Sequence, residues 1–200
     1  LNRRAAVLAL GSLFASPAVR TGALAASEPP SGVYPFALGI ASGMPRPDSV
    51  VLWTRLAPFP HEPDGGLPGV QVPVRWELAE DERFSRGLRT GQVTTRAEHA
   101  HSVHVEVVGL PSDARFFYRF ATRDAVSPVG RTRTAPAPDA DVSRLRLALA
   151  SCQHYEQGAF VAHREIATRE LDFVLFVGDY IYESTNPRYR LRAHEGPVPL

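Results

Sequence analysis

Two apolar runs of strand length, each ending abruptly in residues that can bind a metal, constrain this chain more than any other feature. The first is Leu147-Ala148-Leu149-Ala150, closed by Ser151 and Cys152; the second is Phe173-Val174-Leu175-Phe176-Val177, closed by Gly178-Asp179-Tyr180-Ile181-Tyr182. Strands that are oily at nearly every position belong to open α/β sheets, buried on both faces, and ligands gather beyond their carboxyl ends. Between the runs, Gln157 to Glu170 reads as a helix. Ala159, Phe160, Ala162 and Ile166 fall on or near one face, with Arg164, Glu165, Arg169 and Glu170 mostly outside it. Strand, helix, strand is a βαβ unit, a connection with a strong right-handed preference. If its strands pair directly, Cys152 and Asp179 fall on neighbouring tips. Tyr182 can then turn back to the same point from the loop.

Charge and cysteine usage narrow the class by exclusion. The chain's 22 Lys and Arg nearly balance its 21 Asp and Glu, a net charge of +1 that gives no electrostatic case for nucleic acid. A single cysteine cannot form an internal disulfide, so Cys152 is a free thiol, an intermolecular partner, a metal ligand or a small buried residue. At a strand tip beside Ser151, Gln153 and His154, the ligand and nucleophile readings gain weight. A thiol hydrolase would pair Cys152 with His154 as its base, but no third, orienting group is apparent.

The amino terminus reads as a targeting segment. Asn2-Arg3-Arg4 precedes an apolar, alanine-rich stretch from Ala5 to Val19, and Ala23-Leu24-Ala25 supplies the small residues expected before a signal-peptidase cut. Residues 1–26 are therefore expected to be a twin-arginine-type signal peptide, read by the twin-arginine export machinery, with a periplasmic or secreted destination. A general secretory signal or a retained anchor is the alternative. The stretch is short and proline-interrupted for a spanning helix, which needs about 20 apolar residues. The chain starts at Leu1 and stops at Leu200 in a proline-rich stretch, and it reads as a piece of a longer protein.

Residues 32–136 carry a different pattern, short strands separated by turn residues. Phe36 to Ala41, Ser49 to Leu56, Val72 to Ala79, Leu88 to Thr95, Ser102 to Val108, Arg115 to Thr122 and Val129 to Thr134 are seven candidate strands. Val103, Val105 and Val107 alternate with Ser102, His104 and Glu106, and Phe116, Tyr118 and Phe120 share one face. Seven such strands in about 100 residues predict a β sandwich of immunoglobulin or fibronectin III type. Trp53 and Trp76 are expected in its core. Gly109-Leu110-Pro111 ahead of Phe116-Phe117-Tyr118 is expected to form a corner where a tyrosine hydroxyl ties back to upstream backbone. His99, His101 and His104 are expected to face solvent. Ala135-Pro136-Ala137-Pro138-Asp139 then reads as a linker, with a boundary near residues 136–142 and an α/β region over 142–200.

These blocks resemble one family. Gly178-Asp179-x-x-Tyr182 matches the GDxxY block of purple acid phosphatases and related metallophosphoesterases. Ala150-Ser151-Cys152-Gln153 and Gly178-Asp179-Tyr180-Ile181-Tyr182-Glu183 look specifically like the alkaline phosphatase D, or PhoD-like, group. The resemblance extends to Phe36-Ala37-Leu38-Gly39-Ile40-Ala41-Ser42-Gly43, to Asp48 through Leu56, and to Gly130-Arg131-Thr132-Arg133-Thr134. It implies the first βαβ part of a calcineurin-like metallophosphoesterase domain holding Fe3+ and Ca2+, with Cys152, Asp179 and Tyr182 among the metal ligands. Iron(III) is a hard Lewis acid able to take a tyrosinate, a metal-bound thiol deprotonates, and a carboxylate can bridge to calcium.

The implied reaction is hydrolysis of phosphomonoesters or phosphodiesters at alkaline pH by a metal-bound hydroxide. The family's remaining asparagine, histidine and aspartate ligands lie on later strands, so this chain is expected to be inactive alone. His154 sits where broader metallophosphoesterases carry the histidine of a D-x-H motif, and reads more readily as a polar neighbour of the site than as a ligand. Tyr180, Glu183 and Asn186 are expected to cap the loop or contact substrate. The competing class is an exported β-sandwich binding module with a degenerate catalytic remnant.

Overall fold

Alternation of period two builds most of this molecule. The computed structural model describes residues 32–67, 69, 71–123, 125–184 and 187–194; the signal segment and Asn186 lie outside them. Among the described residues, seven strands form two antiparallel sheets. β1 (Ile40–Gly43), β2 (Ser49–Arg55) and β5 (Ser102–Val108) form one, in the order β1-β2-β5. β3 (Val72–Ala79), β4 (Arg89–Thr95), β6 (Arg115–Ala121) and β7 (Gly130–Arg133) form the other, in the order β4-β3-β6-β7. Three strands against four in this order is a fibronectin III-like sandwich.

The core lies between the sheets. Val50 and Leu52 of β2, Val103, Val105 and Val107 of β5, Val74 and Leu78 of β3, and Phe116, Tyr118 and Phe120 of β6 are all buried in one cluster. Each such side chain contributes roughly 1.5–3 kcal/mol on leaving water. The register sets Trp76 opposite Phe120 and Leu78 opposite Tyr118. On the outer face of the same sheet Glu77 is buried under Arg119, whose Nε donates to it at 2.6 Å, and Arg119 in turn covers the Phe84 ring.

Several expectations are corrected. Phe36 to Gly39 is a turn, closed by the Gly39 N–H donating to the Phe36 carbonyl at 2.9 Å, and the first strand begins only at Ile40. Trp53 is half-buried on the outer face of β2, because its neighbours Leu52 and Thr54 occupy the inner one. Tyr118 is buried, but its hydroxyl pairs with the Ser42 side chain on the opposite sheet rather than with backbone near residues 109–111. His101 does not face solvent. It is fully enclosed, with Nε2 2.7 Å from the Leu67 carbonyl and Nδ1 3.2 Å from Thr95 Oγ1, because the loop that carries Leu67 folds over it. His99 and His104 are exposed, as expected.

Beyond residue 141 the pattern changes to β8 (Leu147–Ala150), β9 (Gln153–His154), α1 (Val161–Thr168), β10 (Phe173–Phe176) and β11 (Ile181–Tyr182). β8 and β10 pair directly and in parallel, with Phe173 opposite Leu147 and Phe176 opposite Ala150. The helix is shorter than the expected Gln157 to Glu170, with only 8 residues. Gly158 and Phe160 take left-handed φ of 76° and 53°, which stops helical backbone before Val161, and Arg169 is already extended. None of its residues is buried. Ala159 and Phe160 therefore precede the helix instead of lining its inner face. Among the described residues no helix is long and apolar enough to cross a membrane.

Candidate metal centre

The ladder between the two parallel strands does not run straight through. It resumes on β9 and β11, with Ile181 opposite Gln153 and Tyr182 opposite His154. Between the two ladders, four residues, Val177 to Tyr180, stand opposite only two, Ser151 and Cys152. The surplus length is pushed out as a bulge, a device that re-aims side chains beside active sites. Gly178 supplies one positive φ, of 109°, while Cys152 and Asp179 adopt left-handed φ of 57° and 35°. Non-glycine residues held in that region cluster at functional sites. Two backbone bonds span the break: the Val177 N–H donates to the Ala150 carbonyl at 3.1 Å, and the Cys152 N–H to the Asp179 carbonyl at 2.5 Å.

The three side chains singled out from the sequence meet there. The Tyr182 hydroxyl donates to Asp179 Oδ2 at 2.6 Å and lies 4.0 Å from Cys152 Sγ. Its pKa is held well above the usual phenol range, first by the hydrogen bond to Asp179 and then by that to Cys152. Cys152 is exposed, which removes the reading of it as a buried small residue. The His154 ring lies 4.9 Å from that of Tyr182, and the Tyr155 N–H donates to the Tyr182 carbonyl at 2.8 Å.

This donor set fits the implied ions. Ligand atoms held at about 2.0–2.3 Å from one metal stand roughly 3–4 Å from each other; the 4.0 Å between the Tyr182 hydroxyl and Cys152 Sγ lies in that range, while the 2.6 Å between that hydroxyl and Asp179 Oδ2 is the shorter separation of a hydrogen bond. A thiolate and a phenolate suit a transition metal, and a carboxylate offers a second oxygen to a hard cation. Among the described residues no three His, Cys, Asp or Glu side chains cluster for a metal; the third group beside Cys152 and Asp179 is the Tyr182 phenol.

The neighbouring side chains differ in what they can reach. Tyr180 is exposed and packs on Phe176, ring to ring at 4.6 Å, and Glu183 is exposed. Gln153, Phe160, His163, Tyr180 and Ile181 line a shallow open cavity of about 200 Å³ near the strand tips. His163 was not singled out from the sequence, since a lone polar residue on a short helix carries no pattern, and Gln153 was named only as a neighbour of Cys152 within a family block. Both apolar strands keep exposed faces, with Leu149 62% and Leu175 44% accessible, unlike the doubly buried strands their composition suggests.

Comparison with known proteins shows the family. The family profile described as PhoD-like phosphatase, N-terminal domain, matches residues 22–136, more than half of the chain, and the profile described as PhoD-like phosphatase matches 147–198. Alkaline phosphatase D of Bacillus subtilis (strain 168) is 52% identical over 150 residues, 75% of this chain but 26% of that protein. A solved structure of PhoD superposes with a TM-score of 0.77 at 47% identity, covering 84% of this chain and 33% of the other. This chain thus spans about a quarter to a third of the relatives it matches. Its sandwich, its parallel strand pair and its sequence agree: the chain belongs to the PhoD-like phosphatase family.

Proposed function

We propose that this chain supplies the sandwich and the first part of the metal centre of an exported phosphatase or phosphodiesterase that hydrolyses phosphate esters at alkaline pH. The convergence of a thiol, a carboxylate and a phenol at one break in a parallel ladder carries the reading. Family membership and the likeness to a protein named alkaline phosphatase D support it. The twin-arginine pattern of residues 1–26 supports export to the periplasm or beyond through that machinery.

In this proposal Cys152, Asp179 and Tyr182 would hold the ions that the family resemblance implies, iron(III) with calcium. Bound there, the ions supply Lewis-acid polarisation of the ester and activation of the attacking water. The chain's own groups prepare the place. The Cys152 N–H to Asp179 carbonyl bond fixes the backbone at both tips. Tyr182 donates its hydroxyl proton to Asp179 Oδ2, and an ion taken up there would displace that proton. The β9–β11 pairing holds Tyr182 on the side of the bulge where Asp179 emerges.

The test uses the whole protein loaded with Fe3+ and Ca2+, comparing wild type with Cys152→Ser and Tyr182→Phe. Bound iron, visible ligand-to-metal absorption and turnover of chromogenic phosphate mono- and diesters are measured together. Both substitutions are expected to weaken the absorption and lower iron content and turnover. Full iron and unchanged absorption in Cys152→Ser, with turnover lost, would instead mark a thiol nucleophile. The 200-residue chain alone is expected to hold metal weakly and show no substantial turnover, since three donors do not complete a two-ion centre.

A further inference from the structure

At the end of β10 opposite the candidate centre, the entering turn carries a second cluster of charged groups. Glu170 accepts hydrogen bonds from Arg131 on β7 at 3.1 Å and from Arg115 on β6 at 3.5 Å. Two residues later Asp172 makes three bonds. Its Oδ1 accepts from Arg133 Nη1 on β7, its Oδ2 accepts the Arg146 N–H at 2.8 Å, and its own N–H donates to the Arg146 carbonyl at 2.8 Å. The last two form a closed reciprocal pair one residue before the first registered pair of the ladder, Phe173 opposite Leu147. Arg133 is held on its other terminal nitrogen by Asp113, and the Arg146 guanidinium reaches the Glu170 carbonyl at 3.3 Å. Asp172 is kept below the usual carboxylate range, chiefly by the Arg146 N–H, and Glu170 chiefly by the bond from Arg131.

Exposed ion pairs contribute little net stability, so the weight of this cluster lies in geometry. The β8–β10 ladder is four residues long and, in this 200-residue chain, both faces keep exposed apolar residues, so within this chain packing does little to define its register. A slip of one residue would move one tip about 3.3 Å past the other and turn its side chains to the opposite face.

We infer that Asp172 is a positioning residue. Its carboxylate fixes the register of β8 against β10 and clamps the pair to β7, which sets Cys152 against Asp179 at the far end. The functional consequence rests on the metal reading proposed above; the register itself does not.

Hydrogen exchange on the chain, followed residue by residue, separates the two. In wild type the Cys152 and Val177 amides are expected to be protected. Asp172→Ala is expected to speed their exchange at least tenfold while the Trp76 and Phe120 amides of the sandwich keep their rates. Asp172→Asn, which retains an acceptor for the Arg146 N–H but not the ion pair, is expected to fall between.

Changes confined to Arg146 and Asp172, or no protection at Cys152 and Val177 in wild type, would overturn the inference. If Asp172→Ala also loosens the sandwich, Asp172→Asn decides, because slower exchange at Cys152 than in the Ala variant is still required. In the whole protein loaded with iron, Asp172→Ala is expected to weaken or shift the visible absorption. Should wild type bind no iron, the metal reading fails and the exchange result still judges the register.

Discussion

Tyr118 makes the sandwich sensitive to strong alkali, and the size of the effect follows from its surroundings. The side chain is 2% exposed, and burial pushes its pKa up to about 12 from 10.0, against the opposing pull of the Ser42 hydrogen bond. Between those two values the unfolded chain has lost a proton that the folded chain retains. Stability from this group is therefore complete below pH 10 and falls as pH rises toward 12. One unit above the unfolded pKa, at pH 11, the loss is about 1.4 kcal/mol, and it approaches about 2.7 kcal/mol above pH 12.

Tyr118→Phe removes this titration while keeping the ring that meets Phe120 edge-on at 6.2 Å. At pH 8 the variant loses only the Ser42 bond, about 1 kcal/mol. Urea unfolding followed by tryptophan fluorescence should thus find it about 1 kcal/mol weaker at pH 8 and level with wild type near pH 11. Tyr34 and Tyr182, whose pKa values are also raised, are common to both proteins and cancel. A difference that stays constant from pH 8 to pH 11 would refute the reasoning.

Two further outcomes follow from packing. Gly91→Ala places a Cβ 2.5 Å from the Trp76 indole, so the ring must move, and urea unfolding should show a loss of about 1–3 kcal/mol with altered tryptophan emission; unchanged stability would mean the ring has room to spare. A chain of residues 32–141 should unfold within about 0.5 kcal/mol of the 200-residue chain, because the core cluster runs from Phe36 to Phe120 and α1 buries nothing. A larger drop would place part of the core in the α/β region.

Legibility in the sequence tracked how local the cause was. Val103, Val105 and Val107, like Phe116, Tyr118 and Phe120, declared their buried face because a strand alternates on its own. The same alternation puts Trp53 outside, since Leu52 and Thr54 claim the inner face. His101 was not legible, because its burial depends on a loop more than thirty residues earlier in the chain. The helix was overextended across Gly158 and Phe160, where composition conceals two left-handed residues. At the candidate centre the tips were legible from the abrupt ends of two apolar runs. The unequal bulge and the Asp172 bonds were not, because both arise only when the strands are paired.

The bulge also bears on how an ion would meet this chain. Cys152 and Tyr182 are 30 residues apart in sequence, yet their donor atoms stand 4.0 Å from each other. Gathering them from a disordered chain would cost about 3 kcal/mol in loop-closure entropy. Folding has already met that cost, through the short Cys152 N–H to Asp179 carbonyl bond and the pairs on either side of it. A cation bound as proposed above would therefore meet these three groups already gathered, an advantage of roughly two powers of ten in affinity over the same residues on an unfolded chain.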